Sequence, residues 1–203
     1  MTRRVVLLHG LWLPGASMRW HASRLAEAGF APEIFGYPTI GGGPTAALPR
    51  LIETLALAGA HVLAHSLGGL VALTALQQVP DLPVRRLVCL GSPLCGSAAA
   101  TGLASRRLTA ATLGRSAELL QRGCGRWDGA AQIGMIAGNR PLGLGRYFGH
   151  IHGPSDGTVA VAETRLPGLS DHVVIPASHT GLLFSALAAR QAAAFFCAGQ
   201  FQH

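Results

Sequence analysis

The chain has 203 residues, enough for one domain (1–203) with a sizeable core, and an apolar fraction of 49% that excludes a disordered segment. No apolar run reaches the ~18 residues that a membrane-spanning helix needs. The net charge is +7 and all 16 basic residues are arginine, but they are scattered, paired only at Arg3-Arg4, Arg85-Arg86 and Arg106-Arg107, with no stripe interleaved with aromatics. That distribution argues against a nucleic-acid partner.

Taken in chain order, short apolar runs alternate with helix-like stretches. The runs are 3–8, 31–37, 61–66, 85–91, 132–138 and 171–176. Between and after them the pattern predicts helices over 16–28, 44–58, 67–79, 105–121, a short one over 159–165, and 181–197. The runs are β-branched and continuously apolar, which marks parallel strands covered on both faces. Repeated strand–helix units predict an α/β fold: a doubly wound, mostly parallel six-stranded sheet with helices on both faces and right-handed crossovers. Two regions, 92–104 and 138–158, read as loops. In such folds the site is built by loops at the carboxyl ends of the strands, here after residues 8, 37, 66, 91, 138 and 176.

Cys89, Cys95, Cys124 and Cys197 form no CxxC and no metal-ligand spacing, so no metal site is expected. Cys89 reads as core, and a Cys95–Cys124 bridge stays open. The N-terminal "MTRRVVLLHGLWLPGAS" has the order of a signal peptide, but its apolar part is short. A chain without a cleaved leader, in the cytoplasm, is the expectation.

"HVLAHSLGGL", residues 61–70, carries the chemistry. Ser66 ends a predicted strand and Leu67 opens a predicted helix. A nucleophile elbow needs this layout, with small residues two before and two after the serine, here Ala64 and Gly68. The pattern usually has Gly where Ala64 stands. A serine here would also serve as an ordinary helix N-cap. A nucleophilic serine needs a base and a group to orient it, in the chain order Ser, acid, His. Among the later histidines, His179 in "PASHTGLLFS" follows the last strand, where a loop at the carboxyl edge presents an imidazole. His172 lies at the opposite end of that strand, and His150 and His152 precede the acid. Of Asp81, Glu118, Asp128, Asp156, Glu163 and Asp171, the choice falls on Asp156 in "PSDGTV", with Glu163 second. Oxyanion donors are expected at the Leu67 amide and, in the loop "HGLWLPG" after the first strand, at the Leu11 amide. His9 reads as a loop orienter. Trp12 beside that loop is a candidate substrate-binding residue that would floor an acyl pocket; plain packing is the alternative. Arg140 and Arg146 flank "PLGLG" near the site edge.

With these residues the chain resembles the α/β-hydrolase superfamily, specifically small lidless bacterial lipases and related esterases. The anchors are "LLHGLW", "LAHSLGG", "LGSPLCGS", "PSDGTV" and "SHTGLL". Minimal lipases share the alanine of the serine motif; many carry a histidine where this chain has Leu94. The resemblance implies catalytic roles for Ser66, Asp156 and His179, oxyanion donation by Leu11 and Leu67, a small-molecule or lipid ester as substrate, and no cofactor. The same machinery serves an acyltransferase or thioesterase. A non-catalytic binding domain and a peripheral membrane contact are the remaining readings, and 96–121 is either a crossover helix or a lid.

Overall fold

The structure, a computed structural model, describes residues 2–40, 43–104, 113–142 and 151–203. All six apolar runs are strands: β1 Arg4–Leu8, β2 Ala31–Phe35, β3 Ala60–His65, β4 Val84–Leu90, β5 Gln132–Gly138 and β6 Asp171–Ile175. They form one parallel sheet in the order β2-β1-β3-β4-β5-β6. From β1 the chain moves to one edge, returns beside β1 as β3, and then advances to the other edge. The order thus reverses between β1 and β3, and a crevice opens beyond their carboxyl ends, where such sheets bind ligands.

Side chains of successive strand residues point to opposite faces, and both faces are packed. Val6, Leu8, Val62, Ala64, Leu87, Cys89, Ile133 and Met135 face one layer. That layer holds α2 (Leu48–Ala56), α3 (Leu67–Gln78), α4 (Ala98–Ala104) and α5 (Ala117–Arg122). Val5, Leu7, Leu63, Val88, Leu90, Ile136 and Ile175 face α1 (Arg19–Glu27) and α6 (Ala186–Ala198) on the other side. α2 buries Leu48, Leu51 and Leu55, one stripe at helical spacing. α3 is apolar on nearly every side because it packs on β3 and is flanked by α2 and α5. The buried Arg86 of β4 donates from Nη1 to the carbonyls of Phe196 and Cys197, at 2.7 and 3.1 Å. A cation thereby meets the negative end of α6 and pins it to the sheet.

The helices depart from the sequence expectation in one place. Residues 98–104, read as loop, form α4, and the described part of the helix expected over 105–121 holds helical Leu113, a 3-10 turn at Gly114–Ser116 and then α5. Residues 105–112 lie outside the described residues. The Ser and Gly content of 92–104 masked "AAATGLA", which is rich in the strongest helix former. Ser97 supplies the cap, its Oγ accepting from the Ala100 amide at 3.2 Å. Elsewhere the expected helices at 16–28, 44–58 and 181–197 each open with a 3-10 turn, and 159–165 contains only such a turn, Val161–Thr164.

Candidate active site

Ser66 sits where β3 turns into α3. Its φ of 53° and ψ of −120° lie in a region that L residues avoid. Such a conformation costs about 1–3 kcal/mol and persists only where packing enforces it. The enforcement comes from Gly68: a Cβ there would stand 2.7 Å from the His9 carbonyl oxygen and 2.9 Å from that of Leu8. The first turn of α3 therefore rides directly on the end of β1. Ala64, fully buried, is accommodated where the elbow usually has glycine. Gly68→Ala should destabilise the fold by roughly 1–3 kcal/mol through overpacking against backbone, read as a lower urea midpoint at unchanged m.

The structure brings Ser66, His179 and Asp156 together. His179 Nε2 lies 3.0 Å from Ser66 Oγ, and His179 Nδ1 lies 2.7 Å from Asp156 Oδ2. Asp156 is 1% exposed. Its second oxygen, Oδ1, accepts from the amides of Thr158 and Val159 at 2.9 and 2.7 Å, so the carboxylate is held in one orientation. Its carbonyl accepts from the His179 amide at 2.9 Å, which ties the two loops together directly. Gly91, just past β4, makes room for the pair. Its φ is +55°, and a Cβ would stand 2.9 Å from Asp156 Oδ2 and 3.3 Å from His179 Nδ1. The sequence reading quoted Gly91 within "LGSPLCGS" without a role; its only signal was a glycine directly after a strand.

The loop after β1 closes the other side. A Cβ on Gly10 would stand 2.8 Å from His65 Nδ1 and 3.1 Å from Ser66 Cβ, so the glycine lets this loop pass close to the end of β3 and to the serine. The next amide is that of Leu11, which donates to no acceptor among the described residues. Leu67 opens α3, where amides lack an intrahelical carbonyl and the helix end is positive. His9 is buried, donates from Nδ1 to the Gly10 carbonyl at 3.0 Å, accepts at Nε2 from the Tyr37 amide at 3.2 Å, and stacks on the Tyr37 ring. Burial lowers its pKa. It shapes the loop, and the Ser66 hydroxyl bonds His179 instead.

A cavity of about 340 Å³ opens from Ser66 and His179. Leu103, Leu113 and Leu120, all buried, line it with Ala99 and Ala100, so α4, α5 and the residue that precedes the 3-10 turn before α5 supply its apolar wall. Trp12 also lines it but is 50% exposed, which places the indole at the rim and not on the floor. Trp12 and Ser66 are the non-glycine residues with positive φ among those described, and both stand at this cavity.

The other candidates lie apart. Glu163 spends its carboxylate on the amides of Ala98 and Ala160, at 2.6 and 2.8 Å, and so caps α4. Asp171 is at the amino end of β6, accepting from the Phe201 amide. His172 Nε2 bonds Thr164 Oγ1 at 2.8 Å. Asp128 pairs with Arg126 on the surface. Cys95 and Cys124 are free thiols, and burial pushes the Cys89 thiol up to about 12. Arg140 is exposed and does not line the cavity. His150 and Arg146 lie outside the described residues. No group of three or more metal-ligating side chains exists among the described residues.

No protein-family model matches the chain, and no curated protein matches it. Solved structures do. A pyrethroid hydrolase, PytH, is 17% identical, covering 98% of this chain and 99% of its own with a TM-score of 0.67. A metagenomic carboxyl esterase, MGS0156, is 17% identical over 88% of this chain and 64% of its own, with a TM-score of 0.66. Methylketone synthase I of tomato, solved with 2-tridecanone, is 14% identical over 97% of both chains, with a TM-score of 0.59. The chain has the α/β-hydrolase fold.

Proposed function

We propose that the protein is a serine hydrolase of carboxylic esters, working through an acyl-enzyme on Ser66. The observation that carries this reading is the hydrogen-bonded line from Ser66 Oγ to His179 Nε2 and from His179 Nδ1 to Asp156 Oδ2. A carboxylate only accepts, so Nδ1 carries the hydrogen and Nε2 is left to accept the serine proton. Ser66 Oγ attacks the ester carbonyl, His179 takes its proton, and the imidazolium is stabilised by buried Asp156. The tetrahedral oxyanion is met by the amides of Leu11 and Leu67. His179 then protonates the leaving alcohol, and water, deprotonated by the same imidazole, releases the acid. The apolar cavity beside the serine suits the hydrocarbon part of an ester. Neighbours of the same fold named as a carboxyl esterase and a pyrethroid hydrolase are in keeping with this chemistry.

The test is reaction of the purified protein with a fluorophosphonate probe, adduct mapping by mass spectrometry, and turnover of p-nitrophenyl esters from acetate to palmitate. A single adduct on Ser66 with ester turnover is the expected result. No adduct and no turnover would overturn the reading in favour of a binding domain.

A further inference from the structure

Two buried histidines outside the Ser66–His179–Asp156 line act on the segment that carries His179. His65 closes β3 and is 1% exposed; its Nε2 lies 3.1 Å from the His179 carbonyl oxygen. Its ring tilts against that of His179, with centroids 4.8 Å apart. His21, fully buried in α1, places Nε2 2.9 Å from the Leu182 carbonyl oxygen. A carbonyl oxygen only accepts, so both rings carry their hydrogen on Nε2 and donate. The two acceptors lie within one short turn that leads from β6 toward α6. On its other side that turn is held by the His179 amide donating to the Asp156 carbonyl. The turn from His179 to Leu182 is thus held from β3, from α1 and from the loop that carries Asp156.

The cost of these bonds argues for their use. Nδ1 of both His65 and His21 is buried with no hydrogen-bond partner among the described residues. A buried polar atom left without a partner is destabilising. A leucine would fill either site without that penalty, but could not hold a carbonyl. The ring of His65 must also be neutral, because it touches the imidazole that becomes a cation when Ser66 is deprotonated. Burial, reinforced by His179 itself, holds the His65 pKa well below the ordinary histidine value. Burial lowers that of His21 as well. Lys or Arg would donate to the same carbonyl but would oppose the imidazolium.

We propose that His65 and His21 are positioning residues, neutral imidazoles that fix the main chain at His179 and Leu182 and so set the His179 ring over Ser66 Oγ. This rests on the reading of Ser66 and His179 as nucleophile and base. Residues far from the bond being broken act this way when a shift of about 1 Å in the base lowers turnover on the order of 100-fold.

The experiment compares wild type, His65→Ala, His65→Gln and His21→Ala on p-nitrophenyl butyrate, with thermal melts as a folding control. His65→Ala is expected to lose kcat by roughly 10- to 100-fold with KM little changed. His65→Gln, whose side-chain amide N–H reaches to the same carbonyl, is expected to recover most of the loss, and His21→Ala to show a smaller loss of the same kind. A folded His65→Ala with wild-type kcat, or a Gln variant as impaired as the Ala variant, overturns the proposal. Nitrogen-15 NMR of histidine-labelled wild type reads the bonds without any variant. Nε2–H tautomers at both positions support the proposal, and Nδ1–H at His65 overturns it. A wild type that neither hydrolyses esters nor takes the fluorophosphonate removes the catalytic reading beneath it, an outcome distinct from any contrast between variants.

Discussion

Ser66→Ala and Asp156→Asn should each lower kcat for ester hydrolysis by about 10⁴-fold or more, for different reasons. On the proposed mechanism the alanine removes the atom that would form the acyl bond, and the residual rate would then reflect only binding and the Leu11 and Leu67 amides. The asparagine variant keeps the serine and nearly the same shape. Its carbonyl oxygen can retain the two amide bonds that Asp156 Oδ1 now accepts from Thr158 and Val159. That choice turns the NH₂ group toward His179 Nδ1, where Oδ2 now stands at 2.7 Å. Two donors cannot face each other, so Nδ1 loses its hydrogen and Nε2 gains it. An Nε2–H cannot accept the Ser66 proton across their 3.0 Å contact. The expected signature is a collapse of kcat with KM preserved, measured on the same p-nitrophenyl series. An Asp156→Asn enzyme within tenfold of wild type would sink the assignment of the acid.

The strands were legible because each is a continuous apolar run, a pattern that a parallel sheet covered on both faces imposes. Ser66 and His179 were legible because strand–turn–helix and strand–loop–helix patterns leave few alternatives for where a polar side chain emerges. Asp156 could be chosen over Glu163 by its place in an Asp-Gly turn after the strand at 132–138 and its long loop. The structure adds the physical reason: Glu163 is engaged in capping α4. What the sequence did not disclose depends on distances between remote segments. Gly10, Gly68 and Gly91 each matter through the backbone or side chain that would meet a Cβ, and those partners lie in other elements. Trp12 stands at the rim while α4 and α5 line the cavity, and α4 is hard to see in a stretch rich in Ser and Gly. His65 and His21 precede the serine, against the chain order expected of a base, and nothing local in the sequence marks the carbonyls they bond.

Acid should unfold this protein early, and histidine is the reason. His9, His21, His61 and His65 are all buried, and burial lowers the pKa of each. His61 is pushed down to about 4, by burial first and by the Arg86 guanidinium second. Nδ1 of His21, His61 and His65 has no acceptor among the described residues, and His9 Nε2 faces the Tyr37 amide. A second ring proton therefore has nowhere favourable to go at any of the four. The unfolded chain takes up these protons as pH falls through about 6.5, while the folded chain does not. Stability is accordingly full above that pH and declines below it, by up to about 1.4 kcal/mol per pH unit for each such histidine until its folded pKa is reached. Glu163, whose pKa is raised by burial, opposes this trend by one group. The lowered histidines, His172 among them, outnumber the one raised carboxyl, so the net effect is a loss of stability as pH falls below about 6.5. Urea unfolding at pH 7.5, 6.5, 5.5 and 5.0 should show little change over the first step and a steep fall over the next two. Ordinary carboxylates titrate mostly below that window, so it isolates the histidines. His61→Phe should flatten the fall by one group's share, because the ring already stacks on Phe196 at 4.8 Å and phenylalanine keeps that packing. A wild type whose stability is the same at pH 7.5 and 5.0 would mean that the folded protein protonates these rings as readily as the unfolded chain, which their surroundings forbid.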